Sequence, residues 1–150
     1  MTAGLSHACA TRNDGTLWCW GTNGDGELGT GPAASPGRPQ QVTTPAATGW
    51  ASVTAGEDAT CAVRSDSTLW CWGYNGDGEL GIGSTISHSR PQQVTSPAAA
   101  GWARAAPGLG SSHTCALRTD STLWCWGGND YGQLGIGGTT SQFLPRQVTA

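Results

Sequence analysis

The chain has 150 residues, one domain of ordinary size, with a formal net charge of −3 and only 11% charged residues. Its seven cationic side chains are all arginine and form no basic run, which excludes electrostatic nucleic-acid binding as the default, and no apolar stretch reaches the length of a membrane span. Leu, Ile, Val and Phe number only 19, yet eight tryptophans supply apolar surface and the small net charge argues against disorder, leaving a Gly-rich, Trp-rich all-β chain.

In chain order, residues 9–12 and 16–20 read as two strands around Asn13-Asp14-Gly15, a three-residue hairpin loop whose glycine is free to take positive φ. The corresponding loops Ser65-Asp66-Ser67 and Thr119-Asp120-Ser121 lack that glycine and are expected to turn differently. The Leu-Trp-Cys-Trp run is apolar on both faces, the mark of a strand sandwiched between two other sheets. The glycines of residues 21–29 force tight turns, and a Pro-x-x-Val segment and Trp50-Ala51-Ser52-Val53 then supply two more short strands. No window keeps a 3.6-residue apolar period, so helices should be few.

The unit recurs. Thr-Leu-Trp-Cys-Trp-Gly begins at Thr16, Thr68 and Thr122, spacings of 52 and 54 residues. Fourteen of the sixteen residues 16–31 are identical in 68–83, and twelve of sixteen between the second and third copies. Pro39, Pro91 and Pro145 recur in phase, as do Val42, Val94 and Val148, and Trp50 and Trp102. One domain with repeats at approximately 2–53, 54–105 and 106–150 follows, about four short strands each, as in a propeller blade.

The motifs Gly-x-x-His-x-Cys-Ala, Thr-Leu-Trp-Cys-Trp-Gly-x-Asn-x-x-Gly-x-Leu-Gly-x-Gly and Pro-x-x-Val resemble the regulator of chromosome condensation repeat, a blade of a seven-bladed β-propeller in its best-known members. Ala59 departs from the pattern that His7 and His113 keep, and the cysteine pair in every copy looks like bacterial members of the family rather than the nuclear one. The resemblance implies a non-catalytic interaction scaffold that presents loops to protein partners. The family includes nucleotide-exchange factors for a small GTPase and secreted β-lactamase inhibitors, and neither specific activity transfers. Partner-binding residues are not assigned, but the variable stretches 30–37, 84–89 and 138–143 are where recognition would sit.

Propellers close with about four to eight blades, so three would leave an apolar face and an open edge at each end. The favoured expectation is a homodimer completing a six-bladed ring, and the alternative is a piece of a longer propeller. A propeller enzyme, a lectin-like binder and an excised or engineered fragment whose only property is assembly are the other functional readings.

If Arg12 pairs with Thr16, Cys9 falls opposite Cys19, at a separation that modest adjustment brings into disulfide range. The expected bridges are Cys9–Cys19, Cys61–Cys71 and Cys115–Cys125, each removing about 2.5–3 kcal/mol of unfolded-state entropy in the chain-entropy account. Free buried thiols in a reducing compartment are the alternative. Bridges imply an oxidising, extracellular or periplasmic location for the parent protein, and the lack of a signal peptide suggests an excised piece.

Other chemistry is weaker. No two cysteines have the spacing of a zinc knuckle, and His7 with Cys9 or His113 with Cys115 gives two ligands per blade, short of a tetrahedral shell. Asn23, Asp25 and Glu27, repeated as Asn75, Asp77 and Glu79, alternate like calcium ligands, but the sixth position is Leu28 or Leu80 and the twelfth Ala34 or Ile86. A turn asparagine bonding its own backbone accounts for the pattern. No metal or cofactor is expected. No nucleophile motif accompanies His7 and His113, so no catalytic residue is assigned, and the tryptophans at 18, 20, 70, 72, 124 and 126 are read as packing between blades.

Overall fold

In the computed structural model, residues 1–32, 35–110 and 112–149 are described; Ala33 and Ala34 of the first variable stretch, Ser111 and Ala150 lie outside them. The strands form three four-stranded antiparallel sheets, each in simple chain order, and no helix occurs among the described residues. The first holds β1 (Thr2–Ala3), β2 (His7–Thr11), β3 (Leu17–Gly21) and β4 (Gln40–Val42). The second holds β5 (Trp50–Ala55), β6 (Ala59–Arg64), β7 (Leu69–Gly73) and β8 (His88–Gln93). The third holds β9 (Trp102–Pro107), β10 (His113–Arg118), β11 (Leu123–Gly127) and β12 (Gln142–Gln147). A repeat can be cut at any phase, and hydrogen bonding cuts this one before Trp50 and Trp102, so those strands open sheets rather than end them.

The central hairpins share one register: Cys9 faces Cys19, Cys61 faces Cys71 and Cys115 faces Cys125. Asp14 Oδ1 accepts bonds from the Thr16 backbone N–H (3.0 Å) and hydroxyl (2.7 Å), and Trp18 Nε1 donates to that Thr16 oxygen (2.9 Å). The same three bonds recur at Asp66, Thr68 and Trp70, and at Asp120, Thr122 and Trp124. Contrary to the sequence expectation, the loss of Gly15 does not change the turn. Ser67 and Ser121 take its left-handed conformation, at φ 61° and 69° against 77°. The aspartate bonds hold the turn shape even where the backbone favours glycine.

Because side chains alternate along a strand, each sheet has two faces. The face of the first sheet carrying Cys9, Leu17, Cys19 and Val42 packs on Trp50, Ala62 and Trp72 of the second. The other face of the second sheet, with Cys61, Leu69, Cys71 and Val94, packs on Trp102, Ala116 and Trp126 of the third. The middle Leu-Trp-Cys-Trp strand is thus sandwiched, as its sequence requires. Each junction contains an edge-to-face tryptophan pair, Trp50 with Trp72 (6.0 Å) and Trp102 with Trp126 (5.9 Å). Arg64 and Arg118 stack over Trp50 and Trp102, each 5.1 Å from the ring centre.

Candidate functional site

The two junctions between sheets are fastened identically. The Glu27 backbone carbonyl accepts from the Thr60 hydroxyl (2.8 Å) and from Trp72 Nε1 (2.9 Å) of the next sheet. One unit later the Glu79 carbonyl accepts from Thr114 (2.8 Å) and Trp126 (2.8 Å). Indole reaches the carbonyl only because Gly29 and Gly81 sit beneath it, both at φ +71°, where an added Cβ would stand 2.7 and 2.5 Å from Nε1.

The turns delivering these carbonyls use the residues of the calcium reading structurally. Asn75 Oδ1 accepts from the Leu80 N–H (2.9 Å), and its Nδ2 donates to the Ser84 (2.8 Å) and Ile86 (3.0 Å) carbonyls. Asn129 repeats this with Leu134, Gly138 and Thr140. The Glu27 and Glu79 carboxylates accept from the Asp25 and Asp77 backbone N–H groups. Asparagine is the turn residue here, its oxygen already engaged by backbone.

Cys9–Cys19, Cys61–Cys71 and Cys115–Cys125 are disulfide-bonded. The first two lie in the two junction cores. The third lies on the uncovered face of the third sheet, where Cys115 lines a shallow groove with Leu117 and Leu123.

What differs between the junctions is a single cavity. In the first, His7 fills the space beside Thr60, its Nε2 2.7 Å from the Thr60 hydroxyl. That hydroxyl spends its proton on the Glu27 carbonyl, so it accepts here and His7 Nε2 carries the proton. Burial pushes the His7 imidazole down to about 4. In the second junction the equivalent residue is Ala59, and the space is a cleft of about 240 Å³ lined by Glu57, Asp58, Ala59, Tyr74, Glu79 and Thr114, with Pro107, Gly108, Ser112 and His113 closing it.

The cleft is acidic. Burial pushes the Glu79 carboxyl up to about 7, opposed by its bond from the Asp77 N–H and assisted by the Asp77 and Asp58 charges. Burial also raises Asp58, with Glu57 and Asp25 adding repulsion. His113 is lowered by burial. Reading the sequence one copy at a time misses this site, because nothing within a single copy singles out Glu57, Asp58 or Tyr74. The signal was there: Glu57-Asp58-Ala59 stands where the other copies read Leu5-Ser6-His7 and Ser111-Ser112-His113, and Tyr74 where they read Thr22 and Gly128. Four departures in one copy converge on one cleft.

The other sequence candidates are dispersed. Trp72 and Trp126 are fully buried between sheets, whereas Trp18, Trp70 and Trp124 are half-buried over the hairpin turns and Trp20 lies half-buried on the uncovered face of the first sheet. Of the variable stretches, 84–89 exposes Ile86 and 138–143 ends at the exposed Phe143, while the first is described apart from Ala33 and Ala34.

Two family profiles described as regulator of chromosome condensation (RCC1) repeat match the chain, one over residues 14–63 and 66–117, the other over 50–79 and 108–133. Among curated proteins, the ultraviolet-B receptor UVR8 of Arabidopsis thaliana is 31% identical over 150 residues, covering 100% of this chain and 34% of UVR8. The E3 ubiquitin-protein ligase HERC2 of Homo sapiens is 29% identical over 148 residues, covering 99% of this chain and 3% of HERC2. The chain therefore spans about a third of UVR8 and a small part of HERC2. Among solved structures, Prp20p from Saccharomyces cerevisiae superposes with a TM-score of 0.84 at 20% identity, covering 99% of this chain and 37% of that one. Human WBSCR16 gives 0.81 at 23% identity, with 97% and 38% covered. At these identities the superpositions establish the fold.

Proposed function

The chain belongs to the regulator of chromosome condensation repeat family, its three sheets being β-propeller blades, and on that premise we propose that it is a non-catalytic protein-interaction scaffold that assembles blade to blade with a second copy into a six-bladed ring. The observation that carries this reading is the complementarity of its two uncovered faces. Leu17 and Leu69 are 0% exposed because a following sheet covers them, whereas their equivalent Leu123 is 39% exposed. At the other end, Trp20 is half-buried where its equivalents Trp72 and Trp126 are sealed and bonded to a preceding carbonyl. The last face of one copy thus offers what the first face of another lacks, and a twofold ring closes with two equivalent junctions. Continuity with two junctions already built inside the chain favours a second copy over an unrelated occupant.

A protein partner would engage loops 30–37, 84–89 and 138–143, held by the rigid blades; Prp20p, by its published description, binds Gsp1p and histones, and that belongs to Prp20p. Three disulfides suit an oxidising compartment, extracellular or periplasmic. No nucleic-acid or membrane partner is part of this reading, and no described helix is long and apolar enough to cross a membrane. The coverage of the relatives favours one second reading, in which further blades of the same polypeptide cover both faces.

Native mass spectrometry at micromolar concentration separates the two. The ring predicts a species of two chains that Leu123→Asp converts to a folded monomer. A wild-type monomer overturns self-assembly and leaves the second reading.

A further inference from the structure

Thr114 is fully buried, and among the described residues its hydroxyl makes one hydrogen bond, the one it donates to the Glu79 carbonyl. The lone pairs of its hydroxyl are therefore free to accept. In the homologous junction the same hydroxyl, Thr60, receives the His7 Nε2 proton. Ala59 removes that donor and leaves the space it occupied.

Around the gap, the second copy replaces three further residues with groups of one kind of chemistry. Glu57 and Asp58 bring carboxylates in place of leucine and serine, and Tyr74 brings an aromatic ring. With Glu79, the lining presents oxygen acceptors and a π face, and no basic side chain except the His113 imidazole, whose Nδ1 is itself buried without a partner. A site that sets three carboxyl groups and an accepting hydroxyl against no permanently cationic side chain calls for a ligand rich in N–H groups. At about 240 Å³ the cleft is below the roughly 300–1,000 Å³ of drug-sized sites and suits one side chain.

We propose that the cleft between the second and third sheets binds the guanidinium of an arginine side chain, which donates to the Thr114 hydroxyl and the Glu57, Asp58 and Glu79 carboxylates beside Tyr74. Guanidinium is planar, permanently charged and carries five N–H donors, and it stacks on aromatic rings. It thus replaces the missing imidazole in shape while answering the added acids in charge. The arginine comes from a protein partner, in keeping with the interaction-module reading, but the site is complete within one chain and does not depend on ring closure.

The test is a titration of the wild-type chain, followed through the Thr114 and Tyr74 amide resonances, with acetyl-arginine amide, acetyl-citrulline amide, free arginine and imidazole. Acetyl-arginine amide is expected to shift both resonances saturably. Citrulline, planar but uncharged, should bind about tenfold more weakly or not at all. Free arginine, whose carboxylate meets an acidic lining, should fall between them, and imidazole should bind more weakly than acetyl-arginine amide. Ala59→His refills the space and should abolish the shifts. Asp58→Asn, half-buried at the surface and safe for folding, should weaken binding about tenfold even if the histidine variant does not fold. Absence of shifts at both residues, equal response to citrulline, or binding unchanged in Asp58→Asn overturns the proposal. Because these outcomes are read within one chain, a monomeric mass spectrum would leave them untouched.

Discussion

The junction between the first and second sheets and that between the second and third are the same joint with different fillings. Both hang a threonine hydroxyl and an indole N–H on one glutamate carbonyl, and both set a tryptophan pair edge to face beneath an arginine. What differs is beside the threonine: an imidazole in one, an acid-lined space in the other. The comparison separates residues that hold blades together from residues free to vary, and it predicts which changes act alike in the two joints and which do not.

The largest effect should be the same on both sides. Trp72→Ala and Trp126→Ala each remove a fully buried ring and its bond to the carbonyl, and each should destabilise by about 3–5 kcal/mol in chemical denaturation. The Thr60 and Thr114 hydroxyls would keep the carbonyls partly satisfied. If one tryptophan proves markedly cheaper to lose than the other, the two joints are not equivalent and the comparison fails.

A smaller effect should have opposite signs. His7, held at about 4 against an ordinary 6.5, is neutral in the folded chain where the unfolded chain is protonated. Its contribution is present above 6.5 and lost as pH falls toward 4. Glu79, raised to about 7 from 4.5, is protonated in the folded chain where the unfolded chain is ionised. Its contribution is present below 4.5 and lost as pH rises toward 7. Between these limits the two joints pull against each other, by on the order of 1–3 kcal/mol each. Glu79→Gln should therefore leave a chain whose stability climbs with pH between 4 and 6.5, and His7→Gln one whose stability declines between 4.5 and 7. Denaturation midpoints across that range decide it, and parallel profiles in both variants would refute the assignment.

The parts of this architecture that repeat were legible in the sequence. A period of 52 and 54 residues, an apolar-on-both-faces strand and a three-residue loop suffice to place the hairpins and the sandwiched middle sheet, because strand alternation and turn geometry are local. The cleft is different in kind. Residues 57–59, 74, 79 and 112–114 meet only when two sheets dock, so no local pattern announces them. Only the departures from the repeat carry the signal, and it appears when the copies are read against each other rather than along the chain. The alternation of Asn75, Asp77 and Glu79 was visible, but its meaning depends on which atoms the backbone claims.

The smallest effect lies at the hairpin turns. Ser67 and Ser121 hold a left-handed conformation that Gly15 adopts freely, and in each turn the aspartate bonds to the threonine two residues on are intact. An L side chain at that φ is strained by about 1–2 kcal/mol, while glycine brings a more flexible unfolded chain worth about 0.5–1 kcal/mol. The difference favours glycine by roughly 0.5 kcal/mol, which for a chain this size is a rise of about 1–2 °C in Tm. Ser67→Gly and Ser121→Gly should each gain that much. Gly15→Ser should lose slightly more, since an added Cβ there stands 3.0 Å from the Gly49 nitrogen. A gain in Gly15→Ser would mean that the aspartate bonds, not the residue at the left-handed position, set the stability of these turns.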